Sequence, residues 1–179
     1  MIDISNWKEF KISDVFITEK KAGSLQTPTG SYISQRALHE GETPRVTVSN
    51  FNNGITGYYK DVDDNNYRVY DNFISVSFLG TVFYQPNRAS LDMKVHCLKP
   101  IGTELNQFTA GFIVSVVRKT LLNIVYTDQL SSSVLPNLTI LLPQDDDGKP
   151  NWEYMENYMR LVTDKVKSSL NILKEYVDE

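Results

Sequence analysis

The strongest constraint on this chain is a change of period at residues 138–158, L-T-I-L-L-P-Q-D-D-D-G-K-P-N-W-E-Y-M-E-N-Y. Leu138, Ile140, Leu141 and Leu142 form a β-type apolar run that stops at Pro143, and an acidic loop with Gly148 follows. Helical spacing opens after Pro150, with Asn151 as the cap and Glu153 in the first turn. The helix can be written in heptads. Trp152, Met159, Val166 and Leu173 share one seam position, and Met155, Val162, Ser169 and Tyr176 share the other. Leu170 and Val177 widen the apolar surface on one flank, Tyr158 and Ile172 on the other, which suits packing against more than one neighbour. A helix of about 28 residues is roughly 42 Å long at the standard rise, more than a domain of this size covers. Part of it is expected to project and to need a partner helix.

This divides the chain into a globular unit at 1–143, a linker loop at 144–150 and an assembly helix at 151–179. With 179 residues, 41% apolar and 22% charged, one hydrophobic core plus an appended element is the expected organisation. No apolar run approaches the roughly 18 residues that would cross a bilayer, and the start M-I-D-I-S-N-W-K has no basic segment followed by an apolar one. A cytoplasmic protein without a membrane partner is therefore expected. Cys97 is the one cysteine, so an internal disulfide and any multi-thiolate metal site are excluded.

Charge is distributed unevenly. From Gln144 onward there are nine acidic residues against five basic ones, whereas 1–143 holds thirteen of each, so the net −4 sits in the loop and helix. A neutral globular unit does not have the basic balance of a stand-alone, high-affinity DNA binder. Any DNA binding is expected to be shared with another subunit or a second copy.

The globular unit reads as α+β, mixed but mainly antiparallel, with one core helix. Trp7, Phe10, Ile12, Val15 and Phe16 suggest a strand and a short turn on the core. Residues 18–36 are polar and lack a period of their own, the mark of a functional or disordered loop. β-type segments follow at 45–49, 55–59 and 73–78, the first two joined by Asn52-Asn53-Gly54, a hairpin signal because Asn and Gly tolerate positive φ. The acidic run D-V-D-D-N-N at 61–66 lacks the Gly and the distant Glu of an EF-hand loop and reads as a solvated turn. Leu79-Gly80 marks a turn, 81–84 a strand, 85–90 a polar loop and 94–98 a strand. Alternation there sends Cys97 to the core and His96 to the surface or an edge. Helical spacing of Leu105, Phe108, Phe112, Ile113, Val116, Val117 and Leu121 marks the core helix, with Arg118 and Lys119 complementing its dipole. A loop after Tyr126 leads to the last strand.

Four passages in order resemble the specificity subunits of type I and related restriction-modification systems. They are W-K-E-F-K-I-S-D-V-F, P-R-V-T-V-S-N-F-N-N-G-I-T-G-Y-Y, I-S-V-S-F-L-G-T-V-F-Y-Q and L-P-Q-D-D-D-G-K-P-N-W-E-Y-M-E-N-Y-M. The last has Asn151 where the family usually has Asp. The resemblance covers nearly the whole chain and implies a target recognition domain followed by a conserved helix. Members typically carry two such domains, whose helices pair to set the spacing of a split DNA site. One domain and one helix here imply a half-subunit that dimerises, or one domain of a larger assembly. The resemblance further implies a non-catalytic chain without a cofactor, which directs a methyltransferase subunit that uses S-adenosylmethionine and, in complete systems, a restriction subunit.

On this basis the expected contacts with double-stranded DNA come from the polar loops. They are Lys20, Lys21, Gln26, Thr27, Ser31, Gln35 and Arg36 in the long loop, Asn52, Asn53 and Lys60 at the hairpin, and Tyr84, Gln85, Asn87 and Arg88 in the later loop. Gln, Asn and Arg are chosen because their paired donors and acceptors distinguish adenine and guanine edges, while Lys and Arg fix phosphates. Two rival functions are weighed. Asp71 with Asp92-Met93-Lys94 loosely matches the two carboxylates and lysine of a magnesium-dependent nuclease. A protein-binding adaptor acting through the terminal helix is the other.

Overall fold

The computed structural model describes residues 3–122 and 130–177, with side chains described as far as 174. The loop expected after Tyr126 falls partly outside the described residues, as do the side chains of Tyr176 and Val177. In chain order the elements are β1 (Trp7–Lys11), a single helical turn α1 (Ile12–Val15), β2 (Glu19–Lys21), β3 (Ser24–Gln26), β4 (Glu40–Val46), β5 (Ile55–Tyr59) and β6 (Val69–Tyr70). There follow β7 (Phe73–Ser77), β8 (Val82–Gln85), β9 (Ala89–Leu91), β10 (Val95–Leu98), α2 (Gln107–Leu121), β11 (Thr139–Pro143) and α3 (Trp152–Val177). The architecture is the expected α+β one, mainly antiparallel, with a core helix and a long last helix.

A central antiparallel sheet has the order β10-β7-β8. Its middle strand β7 is buried at every position, Phe73 to Ser77, so it has no solvent face. Alternation along β7 divides the interior in two. Ile74 and Val76 join Leu98, Phe112, Ile113, Ile140 and Met155 in the larger core beneath the helices. Phe73 joins Val46, Leu91, Val95 and Cys97 in a smaller core beneath a second sheet of order β5-β4-β9-β6. That second sheet is mixed, since β4 pairs antiparallel with β5 and parallel with β9. β1 and β11 pair antiparallel, Trp7 opposite Pro143, so the start of the chain and its last strand close one end together.

Several local expectations are corrected. The long polar stretch holds a small hairpin of β2 and β3, paired Glu19↔Gln26 through Lys21↔Ser24. After it, residues 28–30 lie along the edge of β10, with Gly30 N–H bonded to Val95 O at 3.0 Å and Cys97 N–H to Pro28 O at 2.8 Å. That cover explains why His96, expected at the surface or an edge, is 2% exposed although β10 is the outer strand of its sheet. Sequence alternation gave its direction but not the added segment above it. The segment 85–90 is not loop throughout, because Gln85 ends β8 and Ala89 begins β9. In α2, Arg118 does more than complement the dipole: its Nε and Nη2 donate to Val82 O at 3.0 and 2.6 Å, satisfying the open edge of β8.

α3 starts as expected, with Asn151 Oδ1 accepting from Tyr154 N–H at 2.9 Å. Its first turns belong to the globule. Met155 is fully buried, Met159 rests over Gly111 of α2 so closely that a Cβ there would lie 3.3 Å from its Cε, and Asn106 Nδ2 donates to Glu156 Oε2 at 2.8 Å. Trp7, Phe112 and Tyr158 form an aromatic series with centroids 5.5 and 6.0 Å apart. From 164 to 174 every side chain is exposed. Among the described residues no helix is long and apolar enough to cross a membrane.

Candidate nucleic-acid interface

The polar face of the molecule is built on the second sheet, on the side of β7 away from the helices. Its most constructed part is the β4–β5 hairpin and the loop 86–88 beside it. The register Thr43↔Tyr59 to Val46↔Ile55 brings Asn52 and Asn53 to the tip, where both take positive φ of 47° and 53° before Gly54 at 79°. Gln85 crosses from β8 and donates Nε2 to Asn53 O at 2.8 Å and to Ser75 Oγ at 3.2 Å. At the base of the hairpin Arg88 donates to Thr43 Oγ1 at 2.8 Å and to Asp61 Oδ1 at 2.9 Å, with a second bond to Asp61 Oδ2. Tyr67 donates to the same carboxylate at 3.3 Å. The Arg88 guanidinium holds the Asp61 carboxyl below its usual range. Asp61, read from sequence as part of a solvated turn, is thus the anchor of a DNA-contact candidate.

The expected contact residues divide by exposure. Lys20 and Lys21 stand out on the β2–β3 hairpin, Gln35 and Arg36 on a short 3-10 turn, and Asn52, Asn53, Lys60, Asn87 and Arg88 around the β4–β5 hairpin, all exposed. Three others are withdrawn as base contacts. Thr27 is 2% exposed and Gln85 3%, both inside the fold. Tyr84 faces the larger core and donates its hydroxyl to Asn72 Oδ1 at 2.9 Å. A polar residue next to a turn looks alike in sequence whether it points out to read a ligand or inward to tie loops together. Gln26 and Ser31 are half-buried and engaged, Gln26 Oε1 by Ser132 and the Ser31 hydroxyl by Asn66 O. The geometry joins the 52–53, 60 and 86–88 segments but records no hydrogen bond or ion pair tying them to Lys20 or Lys21.

The nuclease constellation does not assemble. Asp92 and Lys94 lie in the turn between β9 and β10 and not on one strand face. Asp92 pairs with buried Arg45 at 2.7 Å, Lys94 Nζ sits 4.6 Å from the Phe78 ring centroid, and Asp71 takes Lys99 at 3.3 Å. Among the described residues no three His, Cys, Asp or Glu side chains gather in a metal-binding group.

Sequence reasoning missed the exposed aromatics. Phe51 is 83% exposed beside Asn52, and Tyr32 and Tyr58 are 68% and 53% exposed. The available signal was an apolar ring set within Asn50-Phe51-Asn52-Asn53, in a turn where burial has no use for it.

The assembly residues divide as well. Met155 is buried in its own domain and is withdrawn as a partner contact, and Trp152 and Met159 pack partly against the same core. Val166, Leu170 and Leu173 are exposed at 53%, 53% and 60%. Val162 lies at the change-over, lining with Trp7, Phe112, Val116, Leu141 and Met159 an apolar groove of about 550 Å³ at the helix root.

The sequence pattern of the family described as Type I restriction modification DNA specificity domain matches residues 4–174. The chain belongs to that family. Over 164 residues it is 26% identical to the specificity subunit S.BcgI of the type II restriction enzyme BgcI from Heyndrickxia coagulans, a match covering 90% of this chain and 45% of that protein. The chain thus spans less than half the length of that relative. Its fold is shared with the S subunit of a type I restriction-modification system from M. genitalium, at a TM-score of 0.57 and 15% identity, covering 97% of this chain and 44% of that one. It is shared also with the HsdS subunit from Thermoanaerobacter tengcongensis, at a TM-score of 0.63 and 12% identity, covering 98% and 41%.

Proposed function

We propose that this chain reads DNA sequence for a restriction-modification system and is itself non-catalytic. Membership of the specificity-domain family over residues 4–174 carries the proposal. The exposed amides and cations around the β4–β5 hairpin supply groups suited to base edges and phosphates. Their setting in a protein of net charge −4 fits a reader that shares its electrostatic affinity with other subunits. In this proposal a partner methyltransferase holds S-adenosylmethionine and performs the chemistry, a restriction subunit joins in complete systems, and the complex works in the cytoplasm. The exposed stripe of Val166, Leu170 and Leu173 supports pairing of α3 with the helix of a second recognition domain, either a second copy of this chain or a companion domain.

The test combines mass and chemistry. Sedimentation of the chain, alone and with its methyltransferase, is expected to give a complex holding two recognition domains, and sequencing of methylated DNA from cells making both is expected to give one recurrent site. Methylation that does not depend on this chain would defeat the proposal.

A further inference from the structure

The turn joining β4 to β5 displays an aromatic ring that the fold does not use. Phe51 is 83% exposed, yet the turn beneath it is held at several points. Its N–H donates to Ser49 Oγ at 3.2 Å, its carbonyl accepts from Gly54 N–H at 2.8 Å, and Asn52 Nδ2 donates to Ile55 O at 3.2 Å. Gln85 fixes Asn53 O from below. Gly54 is confined: a Cβ there would lie 3.2 Å from Val46 Cγ1 and 3.3 Å from Thr47 O, and its φ of 79° disfavours any side chain. A ring on a loose loop would fold back to hide apolar area. This one is kept in water by a rigid turn, which forgoes the gain its burial would bring and points to a ligand.

The surroundings favour duplex DNA as that ligand. Amide side chains flank the ring at Asn50, Asn52 and Asn53, all exposed. Between Glu42 and Asp61 the sequence has no acidic residue, in a chain that is acidic as a whole. The exposed turn between β4 and β5 suits the major groove, where thymine offers its methyl group to apolar side chains and adenine offers N6 and N7 to an amide. We propose, on the basis of the DNA-reading function above, that Phe51 is the reading tip of this turn. Its ring packs on a thymine 5-methyl group while the Asn53 amide takes the paired adenine.

The test uses the full chain assembled with its methyltransferase and a library of random duplexes, from which the bound sequences are selected. Each thymine of the selected duplex is then replaced by deoxyuridine, which removes only the methyl group. One such replacement is expected to weaken the parent complex by roughly fivefold. Phe51→Ala is expected to bind the thymine and deoxyuridine duplexes equally, at the weakened level, and to lose preference for that base pair, while Phe51→Leu retains part of it. Thermal melting should be unchanged in both variants, because so exposed a ring contributes little to the core. Phe51→Ala selecting the parent's motif with the parent's affinity overturns this inference and leaves the proposed function standing. Normal DNA selection with loss of methyltransferase association makes the ring a protein contact and also overturns it. A parent complex without any sequence preference defeats both.

Discussion

Gln85, at the end of β8, donates its side-chain amide to the backbone oxygen of Asn53, so an interior residue of one sheet sets the position of a turn on the other. The same amide bonds Ser75 Oγ on β7. Gln85→Ala removes both bonds at a site 3% exposed and is expected to cost about 1–3 kcal/mol, read as a lowered urea midpoint. DNA selectivity should fall with it. An unchanged midpoint would show that the turn holds itself.

Asp61 and Arg88 are about half exposed, so their pair contributes little to stability. Asp61→Asn should move the melting free energy by less than about 1 kcal/mol. It releases Arg88 toward phosphate, so binding of the assembled complex to non-specific duplex should tighten and its log–log salt slope should steepen by about one. A slope equal to the parent's would mean that Arg88 faces no phosphate.

The two halves of α3 should respond differently. Met155→Ala opens a cavity in the larger core and is expected to cost about 2–5 kcal/mol in chemical denaturation. Leu173→Asp alters a residue that is 60% exposed and should leave the thermal stability of the monomer nearly unchanged while lowering the mass of the assembly in sedimentation. A full-mass assembly with Leu173→Asp would move the partner contact elsewhere.

Burial holds the His96 pKa below its ordinary value, partly opposed by the bond from Nδ1 to Val76 O at 2.9 Å. Because a carbonyl only accepts, Nδ1 carries a proton in this bond. The unfolded ring binds a proton near pH 6.5 and the folded one only at lower pH, so this residue's contribution is complete above about pH 6.5 and lost as pH falls below it. His96→Asn should flatten the fall of the melting temperature between pH 7 and 5. An identical pH profile in parent and variant would contradict the sign.

Arg45 is 3% exposed and its neutralising partner is Asp92. Asp92→Ala strands the guanidinium, at a cost on the order of 2–3 kcal/mol, reduced from that of a fully buried pair by the 31% exposure of the carboxylate. Denaturant titration reads this loss, and the parent chain should show no magnesium-dependent cleavage for the variant to abolish.

Period and punctuation revealed the frame. The hairpin around Asn52-Asn53-Gly54, the core helix, the last strand at Pro143 and the Asn151 cap follow from local chemistry, because each depends on residues near one another in the chain. The failures at Gln85 and His96 involve distant partners. Nothing near Gln85 shows that it will meet Asn53, and nothing near His96 shows that residues 28–30 will cover it. The heptad pattern of α3 was legible as apolar, but a seam that packs on its own domain at Met155 and a seam that awaits a partner at Leu173 have the same spelling. Phe51 was overlooked because an apolar residue is assumed to be hidden until coordinates show it in water.

β7 is buried on both faces, and through it the molecule keeps two interiors that share few side chains. Mutations that reshape the 50–54 turn strain the smaller interior, while those that alter the root of α3 strain the larger. Selection can therefore act on the two separately. A lineage can drift rapidly in the exposed residues of the β4–β5 turn and still inherit an unaltered root of α3.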